Sequence, residues 1–156
     1  MRMNIIEAEQ HYTELLKNLH CKVTFGQRAP HKAILMLSII DLIETGVLDN
    51  TFIPFEQEIE SQFLNNWTRY VGHSDSFKPR SSLPFWHLSH ESFWRVKLKN
   101  TCERSFEELA QARAYSHFGT MAKYVEGAYI DPELFNLINF APARARLRVL
   151  LIKTYL

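Results

Sequence analysis

PHKAILMLSIIDLIETG, residues 30–46, decides the fold class of this chain. Its interior, Ala33 to Ile43, is apolar on nearly every face, so a helix here belongs at the centre of other helices. Pro30 near the first helical position and Gly46 beyond the last bracket a helix over about 30–45. Upstream, Tyr12, Leu15, Leu16 and Leu19 recur at helical spacing after Ile5 and Ile6, with Glu7, Glu9 and Glu14 between them, which predicts an amphipathic helix over 4–19. Between the two, KVTFGQRA carries Gly26 and marks a turn. Downstream, VLDNTFIPF reads as short extended segments around Asp49-Asn50, and a third helix follows over 56–71 with Ile59, Phe63, Leu64, Trp67, Tyr70 and Val71 on its inner stripe.

After the polar loop GHSDSFKPRSS come LPFWHL and FWRVKL, two runs rich in β-formers joined by SHES, a spacing suited to a hairpin. Ser105 with Glu108 forms a capping box that opens a helix through about residue 115. Asp131-Pro132 starts another helix with Asp131 as N-cap, and Pro142 lies in the first turn of a last helix over 141–156. The expectation is one domain over 1–156, α+β but mainly α, with a winged-helix-like helical core and a small β-hairpin.

With 156 residues, 46% hydrophobic and 22% charged, the chain is unlike disordered, collagenous or membrane sequences. Its longest apolar run, Ala33 to Ile40, falls far short of the ~20 residues of a membrane span, and the N-terminal stretch lacks the apolar core of a signal peptide. Cys21 and Cys102 form no CxxC pair, which excludes a zinc ribbon and suits a reducing cytoplasm. The net charge of +1 conceals an uneven distribution: −4 over residues 1–68, +4 over 69–104 and +1 over the remainder. The basic segment also holds Trp67 at its edge and Tyr70, Phe77, Phe85, Trp86, Phe93 and Trp94, the mixture of cations and rings that nucleic-acid surfaces use and that a solvated core face also produces. Alternation in FWRVKLK puts Arg95, Lys97 and Lys99 on one side of an expected strand, with Lys78 and Arg80 in the loop before it.

Metal catalysis of the HNH kind needs a hairpin histidine and further ligands on the next helix. His87 and His90 flank the expected turn, but the segment after Ser105 offers no histidine until His117. No GxSxG elbow, GxGxxG or GKS/GKT loop is present, so no cofactor and no catalytic residue is expected. Arg28, His31 and Lys32 gather at the start of the apolar helix, where unsatisfied backbone N–H groups favour a phosphate. The bland reading is a helix that begins with Pro30 and exposes two polar residues; cations there oppose the helix dipole and need another reason for their position.

RAPHKAILMLSIIDLIETG, the LPFWHL and FWRVKL pair, YIDPELFNLINF and the terminal LLIKTYL together resemble the N-terminal module of bacterial HNH-type restriction endonucleases. More narrowly, they resemble the sulfur-binding domain of the phosphorothioate-dependent type IV enzymes, over nearly the whole chain from Phe25 onward. The resemblance implies a DNA-binding module whose catalytic HNH domain would follow the last helix. It implies His31 and Lys32 as phosphate-side donors and Leu83, Pro84, Phe85 and His87 as walls of a sulfur pocket, with Leu83 where the family commonly has an aromatic. Arg28, Lys78, Arg80, Arg95, Lys97 and Lys99 are then expected to contact phosphates of double-stranded DNA. A reader of a modified base or plain sequence, a protein-interaction module using the LPFWHL edge, and a minimal metal nuclease are the competing expectations.

Overall fold

The central helix forms as its composition requires. In the computed structural model, which describes residues 2–156, α2 spans His31–Glu44 and 11 of its 14 residues are buried. α1 (Ile5–Lys17) lays Ala8, Tyr12 and Leu16 against the C-terminal helices, and Asn4 caps its start by accepting the Glu7 N–H. After α2 come β3 (Phe52–Pro54) and α3 (Gln57–Tyr70), which packs directly on α2. The chain ends in α7 (Pro132–Asn139) and α8 (Ala141–Tyr155), which cover α1 and α2.

A polar seam links three of these helices. Ser38, fully buried in α2, returns its hydroxyl to the Ile34 carbonyl and accepts from Asn66 of α3, whose amide also reaches Asp41 at 2.9 Å. Arg148 of α8 closes on the same Asp41 carboxylate at 2.8 Å. Each buried polar atom is thereby satisfied, so the seam sets the relative register of the helices without the cost of an unpaired group.

The LPFWHL run is helical, not extended. Ser82–His87 forms the short helix α4, continued by a 3₁₀ turn over Leu88–His90, so the expected hairpin with FWRVKL does not exist. A short apolar run has no period long enough to separate strand from helix, and Pro84 lies in the first turn, where its missing N–H costs nothing. Phe85, Trp86 and Leu88 then turn inward together. FWRVKL does supply a strand, β4 (Trp94–Leu98), but its partner is β5 (Val125–Ile130), whose sequence VEGAYI alternates too weakly to predict a strand. Trp94 fastens β4 to α4 by donating its indole N–H to the Phe85 carbonyl at 2.9 Å.

The sheet order β3–β5–β4 is antiparallel throughout. Helix, strand, two helices and two strands, with the last strand in the middle of the sheet, is the winged-helix order. Here the wing is replaced by a long excursion between β4 and β5 that contains α5 (Phe106–Gln111) and α6 (Phe118–Met121). Ser105 caps α5 as expected, its hydroxyl accepting from the Glu108 N–H, but the Glu108 carboxylate accepts from that hydroxyl instead of closing the reciprocal half of the capping box, and α5 ends well before Tyr115. Asp131, in contrast, makes no side-chain cap: its carboxylate instead joins Tyr12 of α1 at 2.8 Å and Arg95 of β4 at 2.9 Å.

Gly127 lies where the middle strand passes β3, and a Cβ there would stand 2.3 Å from the Ile53 carbonyl oxygen and 2.6 Å from the Phe52 ring. Backbone cannot retreat as a flexible side chain can. Gly127→Ala is therefore expected to cost about 1–3 kcal/mol, lowering the thermal midpoint in a melt followed by circular dichroism. An unchanged midpoint would show that β3 separates from β5 freely.

The segment read as a turn before α2 is a small hairpin of its own, with β1 (Val23–Thr24) paired to β2 (Gln27–Arg28). Phe25 and Gly26, its two central residues, both have positive φ, +51° and +75°.

Candidate nucleic-acid interface

An open cavity of about 570 Å³ lies between the β1–β2 hairpin, the start of α2, the loop before α4 and α4 itself. Seven of the expected contact residues converge on it from three separate stretches: His31, Lys32, Lys78, Arg80, Leu83, Pro84 and His87. The residues that bring them together are apolar. Pro30 starts α2, and the inward Phe85 and Trp86 hold α4 so that Leu83, Pro84 and His87 face the opening.

Lys32 is the buried cation of the cavity lining. Its side chain is 8% exposed, and its ammonium donates to Glu91 Oε2 at 2.9 Å. Glu91, 4% exposed at its side chain, also accepts the His20 backbone N–H at 3.1 Å and faces His20 Nδ1. Burial alone pushes the Glu91 carboxyl up. Lys32 and the His20 N–H outweigh it and hold the carboxyl below the usual range, so the pair is ionic. This explains a cation in the first turn of a helix, where the dipole opposes it: the counter-charge comes from another element. Lys32 has three N–H donors and one goes to Glu91; among the described residues the other two have no protein acceptor.

His31 is neutral. Burial lowers its pKa, and Nε2 lies 2.6 Å from the Lys78 carbonyl, the ring resting on Trp67 at 4.7 Å between centroids with Phe77 edge-on at 5.9 Å. Its evident work is to anchor the loop that carries Lys78. His87 is neutral too, its pKa pushed down to about 4 by burial first and by His90 and Lys32 after it. It meets the Tyr115 ring at 4.6 Å. Leu83, buried Pro84 and Phe77 add apolar surface to the cavity lining.

The lining also includes Lys22, Lys78 and Arg80, and none of the three has a carboxylate partner among the described residues. Some cations elsewhere are matched: Arg95 to Asp131 at 2.9 Å, Lys97 to Glu126 at 3.1 Å and Arg144 to Glu44 at 3.3 Å. Three cations without a carboxylate partner therefore meet at this one cavity.

Five expected residues lie elsewhere. Phe85 is fully buried in the core, between Phe55 at 4.7 Å and Trp94 at 5.1 Å, and does not wall the cavity. Arg28 stacks on Tyr155 with its guanidinium carbon 4.7 Å from the ring centre. Arg95 and Lys97 share a face of β4 as their alternation predicts, but carboxylates neutralise both, and Lys99 stands past the strand's end. The sequence reading missed Lys22, Cys21, Thr24 and Phe77, which the cavity includes. Gly26 was the available signal for the first three, since a tight turn folds KVT back beside QRA and the helix start. Among the described residues no three His, Cys, Asp or Glu side chains meet as a metal site requires, and no helix is long and apolar enough to cross a membrane. No protein-family model matches this chain, and no curated protein matches it.

Proposed function

We propose that this cavity binds one backbone phosphate of double-stranded DNA and prefers a phosphorothioate there, the chain acting as a binding module that targets a modification-dependent restriction activity. One observation carries the reading: three cations without carboxylate partners line one cavity together with a buried lysine and the apolar Phe77, Leu83 and Pro84. Lys22, Lys78 and Arg80 meet neighbouring phosphates, and Lys32, its charge balanced by Glu91, offers the bound group its two remaining N–H donors. Sulfur is larger, more polarizable and a weaker hydrogen-bond acceptor than oxygen. Against Leu83 and Pro84 it loses less hydration, whereas oxygen loses its water with no replacement, a penalty of roughly 1–3 kcal/mol and so about tenfold to a hundredfold in affinity. The reading places the protein in the cytoplasm, where DNA is and where Cys21 and Cys102 stay reduced.

Matched duplexes with and without a single phosphorothioate, titrated at several salt concentrations, test this. The expected result is tighter binding of the modified duplex and a salt slope equivalent to about three to four phosphate contacts. Salt-independent binding to a protein partner, or equal affinity for the two duplexes, would remove it.

Pro84→Ser tests selectivity. Pro84 offers no N–H to an oxygen, and a hydroxyl in its place brings a donor and water to the non-bridging atom. Affinity for phosphorothioate DNA is expected to fall about tenfold while unmodified DNA changes by less than about twofold. Thermal melting beside the titrations checks that the fold is kept, and equal losses on both duplexes in a normally melting variant would sink the sulfur pocket.

A further inference from the structure

The tip of the β1–β2 hairpin presents Phe25 to solvent at 93% exposure, the most exposed large apolar side chain in the described chain. Its φ of +51° is in the left-handed region, followed by Gly26 at +75°. The type I′ two-residue turn formed here has positive φ at both positions, which Asn, Asp or Gly meets with least strain and which a bulky side chain rarely adopts. Phe25 is therefore doubly disfavoured, by backbone and by exposure, and no packing compensates it. Such an outlier points to a ligand when it adjoins a site, and this one does: Lys22 and Thr24 of the same hairpin line the cavity.

We propose that this hairpin reads bases. With a phosphate held in the cavity it enters the adjacent major groove, and the Phe25 ring lies against the C5-methyl group of a thymine. The proposal rests on the phosphate reading of the cavity. A two-stranded ribbon with side chains is about 10 Å across, which suits the major groove at ~12 Å and not the minor groove at ~6 Å. The thymine methyl is the apolar feature that base edges present there. Residues 22–28, KVTFGQR, contain two cations and no carboxylate, so the ribbon approaches a polyanion without repulsion. This charge favours DNA over a second copy of the chain.

The test begins with a pool of duplexes carrying one phosphorothioate and randomised flanking pairs, selected with wild type, Phe25→Ala and Phe25→Asn; the Asn variant suits the turn and keeps the hairpin formed. Wild type is expected to enrich thymine at one fixed position. Replacing that thymine by deoxyuridine, which removes only the methyl, costs wild type about fourfold. Both variants bind the thymine duplex about tenfold more weakly than wild type, ignore the methyl, and still prefer phosphorothioate. Variants with wild-type affinity and the same enrichment overturn the base-reading role while leaving the phosphate site standing. Wild-type protein that binds no duplex overturns both. Self-association abolished by Phe25→Asn, with DNA affinity intact, assigns the tip to a second copy and overturns the proposal.

Discussion

Lys32→Ala is expected to destabilise the protein by about 3–5 kcal/mol and, on the proposed phosphate reading of the cavity, to weaken DNA binding and lower its salt slope by about one contact. The stability loss follows from what is left behind. Glu91 is 4% exposed at its side chain, and without the ammonium 2.9 Å away it keeps only His20 as a partner. His20 is itself 76% exposed at its side chain, so the loss falls toward the lower end of that range. For a chain of this length about 3 kcal/mol lowers the melting midpoint by roughly 6–12 °C.

The pH dependence separates this from a packing defect. In wild type the Glu91 carboxyl is held below its usual range, so it contributes stability at neutral pH that fades as acid protonates it. In the variant burial acts unopposed by Lys32 and raises that pKa. The deficit relative to wild type is then largest near pH 7 and shrinks toward pH 4–5, where the neutral acid is tolerated. Lys32→Met combined with Glu91→Leu, which leaves no unpaired charge, should recover most of the stability and none of the DNA binding. If the double variant binds DNA as wild type does, Lys32 is a structural cation and the phosphate lies elsewhere; if Lys32→Ala melts normally, the buried pair has little weight.

What was legible in the sequence follows from the range over which each signal acts. The helical frame was readable because α2 is apolar all round and α1 and α3 carry a clear helical period, patterns that depend only on local spacing. β5 was not, since VEGAYI alternates weakly and becomes a strand by lying between β3 and β4, both distant in sequence. LPFWHL was misread because β-forming composition dominates a run too short to show its period. Lys32, Pro84 and Leu83 were found as cavity residues, but the partner of Lys32 was invisible: Glu91 sits 59 positions away in a segment that read as a hairpin turn. The same non-local pairing explains the basic strand. Its alternation was read correctly, while Asp131 and Glu126, which cancel Arg95 and Lys97, arrive only with β5 and its flank.

Phe85 shows how a neighbour in sequence differs from a neighbour in function. Pro84 lines the cavity, and the next side chain points the opposite way into the core at 0% exposure, so Phe85→Ala is expected to cost about 3–5 kcal/mol. The ring fills the space between Phe55 and Trp94, at 4.7 and 5.1 Å, and α4 has only six residues to redistribute around the void. Trp94 still donates its indole N–H to the backbone carbonyl of residue 85, which keeps α4 attached to β4 and limits collapse, so the cavity left behind stays largely open. The thermal midpoint should drop by roughly 6–20 °C. Well below that midpoint, α4 still presents Leu83 and Pro84, so the affinity ratio between phosphorothioate and unmodified duplexes should stay within about twofold of wild type even where the absolute affinities fall together. Melting curves with paired titrations at low temperature measure the two effects independently. A Phe85→Ala protein that melts like wild type and loses only its preference for sulfur would return Phe85 to the pocket, as the resemblance of LPFWHL to the sulfur-binding modules implies, and would require α4 to turn about its axis when DNA binds.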